Sequence, residues 1–296
     1  MRKIKFVYLA GLVAFLCGTA ARAQQEDLLK AVEDSTAQKQ YVTAAFKSSR
    51  VINGHSMEFL GKGVLDVRIL HRFGPVNNGL KEFFGLDQAS MRLGFDYGLG
   101  KNLTVGIGRT SINKEFDAFL KFRPVRQSVN GGSPVSVALI SGITLHTMDF
   151  VDEGRKNYFS SRIGYYHEII IGRKFSEKFS LQLSPVFVHR NLVLLADEEN
   201  DTYALGIGGR MKLSKRLALV VDYHPVLAGR APGTKDPFSI GLDIETGGHV
   251  FQLHFSNSAG MNEKEFVTNT KDDFWKGDIR FGFNLSRVFT LKRRTN

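Results

Sequence analysis

From Gly63 to Phe289 the chain repeats one device: apolar and polar residues exchange places at every second position, in segments of roughly nine to fourteen residues. Period two is the signature of a strand whose two faces meet different surroundings. Twelve such segments are expected, at about 63–72, 89–98, 102–110, 115–124, 134–147, 160–172, 178–189, 202–213, 216–225, 237–246, 248–257 and 277–289. In the second, Met91, Leu93, Phe95 and Tyr97 oppose Arg92, Gly94 and Asp96; in the last, Ile279, Phe281, Phe283 and Leu285 oppose Asp278, Arg280, Gly282 and Asn284. The seventh and ninth alternate less cleanly, with valines on both faces.

A soluble sandwich alternates too, but its strands are typically about five or six residues long. Crossing a bilayer at a tilt takes about nine to eleven. The polar face carries Gly, Ser, Asp and Arg with both signs mixed, which suits a confined wet lumen. The connections also have parity. Those after even-numbered segments are mostly short, such as Gly98 to Lys101 and Leu213 to Lys215; those after odd ones are mostly long, such as Phe73 to Gln88 and Ser258 to Lys276. Only Ser111 to Lys114 breaks that rule. In lipid every backbone N–H and C=O needs a partner, and a sheet achieves this only by closing. The expected fold is all-β: a closed antiparallel transmembrane β-barrel of about twelve strands, with a short N-terminal segment on the periplasmic side.

The first residues point to export. Arg2, Lys3 and Lys5 precede the apolar run Phe6 to Leu16, and Ala21-Arg22-Ala23 supplies a cleavage motif. Residues 1–23 therefore read as a signal peptide, 24–55 as a polar periplasmic segment, helix or plug, and 56–296 as the barrel, placed in the outer membrane of a Gram-negative bacterium. Within 24–55, Glu26 to Lys39 has a weak helical pattern, and Tyr41 to Ile52 reads as an extra strand or a segment tucked into the barrel mouth. The one cysteine, Cys17, lies in the leader, so disulfides, cysteine zinc sites and thiol catalysis are excluded from the mature chain. The formal charge of +11 falls when Arg2, Lys3, Lys5 and Arg22 leave, and the remainder is spread along the chain. That distribution does not favour nucleic acid. The expected partners are outer-membrane lipid, lipopolysaccharide phosphates, the barrel-insertion machinery, and a periplasmic protein reached through residues 24–55.

Several stretches resemble a Bacteroidota family of outer-membrane β-barrel proteins, a domain of unknown function: His71-Arg72-Phe73-Gly74, HEIIIGRKFS from His167, LSPVFVHRN from Leu183, TGGHVFQLHFSNS from Thr246 and DIRFGFNLSRVF from Asp278. The resemblance runs from about Tyr41 to Leu291. It implies a barrel fold and an outer-membrane address, and brings no activity, substrate or catalytic residue. Unlike many barrels, the chain ends on a basic tail, Thr290 to Asn296, after Phe289.

By alternation the lumen candidates are Asp66, Arg68, Arg92, Asp96, Lys121, Arg123, Arg162, Glu168, Arg210, Asp222, His224, Asp243, Glu245, Asp278 and Arg280. They form either a charged constriction that selects solutes or Arg–carboxylate pairs that fill a narrow barrel; the mixing of signs leans to the second. Gly106, Gly108, Gly206 and Gly208 are expected to make room for arginines. Ser239 or Ser256 near a histidine would permit hydrolase chemistry. His167-Glu168 starts like a zinc helix motif, but Ile171 takes the second histidine position. The run Asp197 to Asp201 offers carboxylates to Ca²⁺ or is a solvated loop. No catalytic, metal or cofactor residue is assigned. The leading expectation is a narrow pore or structural envelope barrel; a barrel enzyme on envelope substrates and a docking barrel are the alternatives.

Overall fold

The computed structural model describes residues 39–150, 154, 156–193, 195–246 and 249–291. The expected leader, almost all of the polar stretch 26–39 and the tail 292–296 lie outside these residues. The chain divides into two units, one of residues 1–41 and 128–132, the other of 42–127 and 133–296. In the first, Tyr41 bridges Ser128 antiparallel, and the Gln40 N–H reaches the Asn130 side chain at 2.8 Å.

The second unit is the barrel. Its strands are β1 (Val64–Pro75), β2 (Ala89–Gly98), β3 (Leu103–Thr110), β4 (Phe116–Val125), β5 (Ser136–Leu145), β6 (Ile163–Lys174), β7 (Phe179–Arg190), β8 (Asp201–Lys212), β9 (Leu217–Tyr223), β10 (Val226–Ala228), β11 (Phe238–Thr246), β12 (His249–Ser256) and β13 (Arg280–Thr290). Neighbours pair antiparallel in chain order; β1 meets β13 and β9 meets both β8 and β11, which closes the ring. Twelve strands make the ring. The thirteenth, β10, resumes the line of β9: Pro225 has no N–H to give the ladder, so the expected ninth segment breaks there and β10 pairs with β8 alone.

Alternation sorts the faces. Phe95, Ile107, Leu120, Leu139, Ile143 and Leu183 stand outward and exposed, Ile107 at 60 %. This is the reverse of a soluble sheet and matches a surface bathed in lipid. The inner face is itself divided. Strands β1, β2 and β11 to β13 turn inward Asp66, Arg68, Arg72, Arg92, Asp96, Asp243, Gln252 and Asn284. Strands β4 to β9 contribute Phe119, Ile140, Tyr166, Ile170, Val186, Val188, Ala204 and Val220 to one buried apolar cluster. Here lies the reason for the imperfect alternation of the seventh and ninth segments: Val186, Val188 and Val220 face a lumen wall that is apolar.

Two segments complete that cluster. Ala45, Phe46, Val51, Ile52 and Met57 enter it from the chain preceding β1, and Phe266 and Val267 from a helix, α1 (Glu263–Asn269), in the β12–β13 connection. They arrive from opposite ends, because Val64 pairs with Thr290 at one end of the β1–β13 ladder and Pro75 with Arg280 at the other. The first strand of the ring begins at Val64.

Candidate functional site: the occupied lumen

The segment inside the lumen is a tight hairpin. Val51 N–H bonds Gly54 O and Ser56 N–H bonds Ser49 O, each at 2.9 Å, with Arg50 and His55 paired across. Asn53-Gly54 lies at the turn. Gly54 also lets the backbone approach the wall: a Cβ there would lie 2.9 Å from the His224 ring.

The wall holds this tip largely by its backbone. Asp222 Oδ2 accepts the N–H groups of Ile52, Asn53 and Gly54 at 3.2, 2.7 and 3.1 Å. Its other oxygen meets His224 Nε2 at 2.8 Å. Gln252 donates to Val51 O at 2.7 Å, Asn284 to Ile52 O at 3.0 Å and Gln182 to His55 O at 2.7 Å. Gln182 also accepts the Met57 N–H, and Arg72 donates to the Asn53 side chain. Lys121 donates to Ser56 O and Glu58 O at 2.6 and 2.7 Å.

From the other end, Asn262 caps α1 by accepting the Glu265 N–H. Glu115, in the turn before β4, accepts from Asn262 at 2.8 Å and from Lys264. Burial raises the Glu115 carboxyl to about 7, although Lys264 pulls it down. Inside the lumen the two segments touch: Arg50 donates to Glu263 at 2.6 Å, and both side chains are 1 % exposed. Arg50 also donates to Asn53 O and lies 5.7 Å over the Phe119 ring. His55 is 3.5 Å from the same Glu263 oxygen.

Of the expected lumen residues, Asp66, Arg68, Arg92, Asp96, Lys121, Arg123, Glu168, Arg210, Asp222, His224 and Asp243 are buried. Arg92 forks onto Asp117 at 2.8 and 2.5 Å. Arg68 lies 3.4 Å from Asp66 and 2.6 Å from Ser49 of the hairpin, whose hydroxyl donates to Asp96. Arg210 lies between Asp243 and Glu245, and Glu245 also meets Lys47 at 2.9 Å. Arg123 sits at the mouth nearest Val64, on Lys101 O.

Three expected residues are elsewhere. Arg162 lies in a helical turn, Phe159–Arg162, before β6, donating to His146 O and Met148 O. Asp278 accepts from Asn77, and Arg280 from the first position of β13 holds Asp272 at 2.7 Å. Arg162 and Asp278 lie before their strands begin, where alternation no longer applies, and Arg280, the first residue of β13, keeps the inward phase but sits at the strand's end. The glycines divide as well: Gly108 makes room for the Arg92 guanidinium, whereas Gly106 faces Phe119, Gly206 faces His224 and Gly208 faces Gln182 and Val51. Gln182, Gln252, Asn284, Arg72, Asp117 and Glu263 were not singled out by sequence. The first five occupy inward phases of their strands, a signal present in the alternation.

Among the described residues no serine hydroxyl is hydrogen-bonded to a histidine; Ser239 donates to Ser256 and accepts from Asn53. His167 stacks on Phe187 with centroids 6.1 Å apart. In the acidic run, Glu198 pairs with Arg190 and Asp201 with His189. Below the hairpin a cavity of about 370 Å³ opens among Lys47, Glu58, Phe59, Asp66, Glu245 and Ser286.

No curated protein matches the chain. Among solved structures it is similar to the NanC porin (10 % identity, TM-score 0.48, covering 77 % of this chain and 100 % of that one). It is also similar to an outer membrane channel from Pseudomonas putida F1 (13 %, 0.46, covering 79 % and 98 %) and to the Acinetobacter baumannii outer membrane protein Omp33 (9 %, 0.40, covering 76 % and 97 %). A family model described as a membrane bound beta barrel domain (DUF5777) matches residues 46–289, from the lumen hairpin to the last strand, and the chain belongs to that family.

Proposed function

We propose that the protein is an outer-membrane channel seen closed, with two inserted segments acting as stoppers from opposite ends. The observation that carries this reading is the Arg50–Glu263 contact, where a segment preceding β1 meets one preceding β13 inside the ring. A barrel that needed only filling would be filled by its own wall side chains. Here the filling comes from two tethered pieces, each held by apolar packing together with polar contacts that water can replace. Charge supports the same reading. Removing either partner of a buried pair leaves an uncompensated charge, at a cost of roughly 3–5 kcal/mol, so withdrawal of one segment destabilises the seating of the other. The hairpin's chain leaves the lumen at the Val64 end, which in this reading faces the periplasm and lets a periplasmic protein pull on the hairpin.

Single-channel recording in planar bilayers tests this. The full chain is expected to be silent or to flicker rarely. Glu263→Gln is expected to raise the open probability at least tenfold, and deletion of residues 24–60 to give steady ohmic steps. A deleted barrel that resists urea and migrates as folded, yet never conducts, overturns the channel reading.

A further inference from the structure

The hairpin is a peptide bound in a site, and the site's chemistry specifies more than this one occupant. We propose that the lumen is an oligopeptide-binding site, and that short peptides with apolar side chains are the solute class the channel takes once its own hairpin has left. The inference rests on the channel reading and names its substrate.

Two observations carry it. The first is what the polar wall recognises. Asp222 collects three successive backbone N–H groups, while Gln252, Asn284 and Gln182 each donate to a backbone carbonyl. Gln182 does both, giving a proton to His55 O and accepting one from Met57 N–H, which is how one amide reads another. These contacts address the main chain, so they carry over to peptides of other sequence. The second is what the inner face carries between those groups. Strands β5 to β9, two of which also carry Gln182 and Asp222, turn inward Ile140, Ile170, Val186, Val188 and Val220, and these cluster with Val51, Ile52 and Met57. Groups that address amides, interleaved with apolar side chains on one inner surface, match a chain whose backbone and side chains alternate in the same way. A saccharide, with hydroxyls around its rim, would leave the valines against polar groups.

The test uses the full chain with a protease site inserted between Gly61 and Lys62, exposed residues that follow the hairpin. The folded protein is cut, the hairpin fragment is washed out in mild urea, and a fluorescent peptide of residues 45–58 is added. It is expected to bind the emptied barrel at micromolar concentration. Asp222→Ala is expected to weaken binding at least tenfold. Unrelated apolar hexapeptides should compete, and maltohexaose should not. In parallel, conductance of the emptied barrel is recorded, with the same peptides as blockers. If only the 45–58 peptide binds, or if maltohexaose competes equally, the substrate class is wrong even though the barrel conducts. If peptides bind and compete but the emptied barrel is silent, the channel reading fails and the peptide site stands. A scrambled, all-polar peptide binding as well as the native one would also sink the proposal.

Discussion

At the scale of single residues, Asp222 is the group on which the closed state turns. One carboxylate satisfies three backbone donors and also anchors His224. Hydrogen bonds to a charged acceptor are worth about 1.5–3 kcal/mol each in net terms, and stranded buried donors cost about as much. Asp222→Ala is therefore expected to loosen the hairpin by on the order of 3 kcal/mol, speeding hydrogen exchange at the Ile52 and Asn53 amides roughly a hundredfold. Asp222→Asn keeps one acceptor and should fall between. Exchange unchanged in both variants would mean that packing of Val51 and Ile52, not the carboxylate, holds the tip. Asp222 and His224 were legible in the sequence as charged groups on an inward phase. Their partner was not, because nothing in a local pattern says that a loop some 170 positions away will lie against them.

At the scale of elements, α1 is the part most sensitive to pH. Glu115 faces Lys264, Glu265 and Asn262, and one lysine serves two carboxylates. His146 faces Lys264 and Glu265 and is pushed down by burial, so its own contribution runs opposite to that of Glu115, weakening the seated state as pH falls. Lys264 is raised, and its contribution is constant below its ordinary 10.5. Glu115 is raised to about 7 from an ordinary 4.5 when α1 is seated. The seated state therefore holds more protons than a released one between those values, and its stability is full below 4.5 and declines as pH rises through about 7. Open probability is expected to climb as pH goes from 5 to 7.5, and Glu115→Gln to flatten that slope. A slope that survives the substitution would point to another titrating group.

The alternation located every strand of the ring to within a few residues, and the inward valines of β7 and β9 were its visible trace of the apolar cluster. Neither the hairpin's depth nor the descent of α1 was legible. Both depend on contacts across the lumen, which period-two patterning encodes only as an inward phase, without naming what will be met there.

At the scale of the whole molecule, the outward apolar belt is what commits the ring to lipid. Leu120, near the middle of β4, is 47 % exposed on that face, and Leu99, in the turn after β2, is exposed to the same extent. A charge near the bilayer midplane costs a barrel about 2–4 kcal/mol, and near the interface about 0–1. Leu120→Arg is expected to lower folding stability in lipid vesicles by the larger amount and Leu99→Arg by the smaller, read from urea titrations. Equal penalties would place Leu120 away from the hydrocarbon.

The arrangement of the two stoppers has a consequence for assembly. One hangs from β1 and the other from β13, and these are the first and last strands, which meet at the seam. Until that seam zips, Arg50 and Glu263 belong to opposite edges of an open sheet and cannot find each other. Their contact is thus made last, and only if the edges have joined in the right register, since a slip of one residue would turn the inner face outward. A ring sealed wrongly would trap an arginine with no acid beside it. The same pair that shuts the finished barrel works as a proofreading device, rewarding correct closure and leaving misassembled rings unstable enough to reopen.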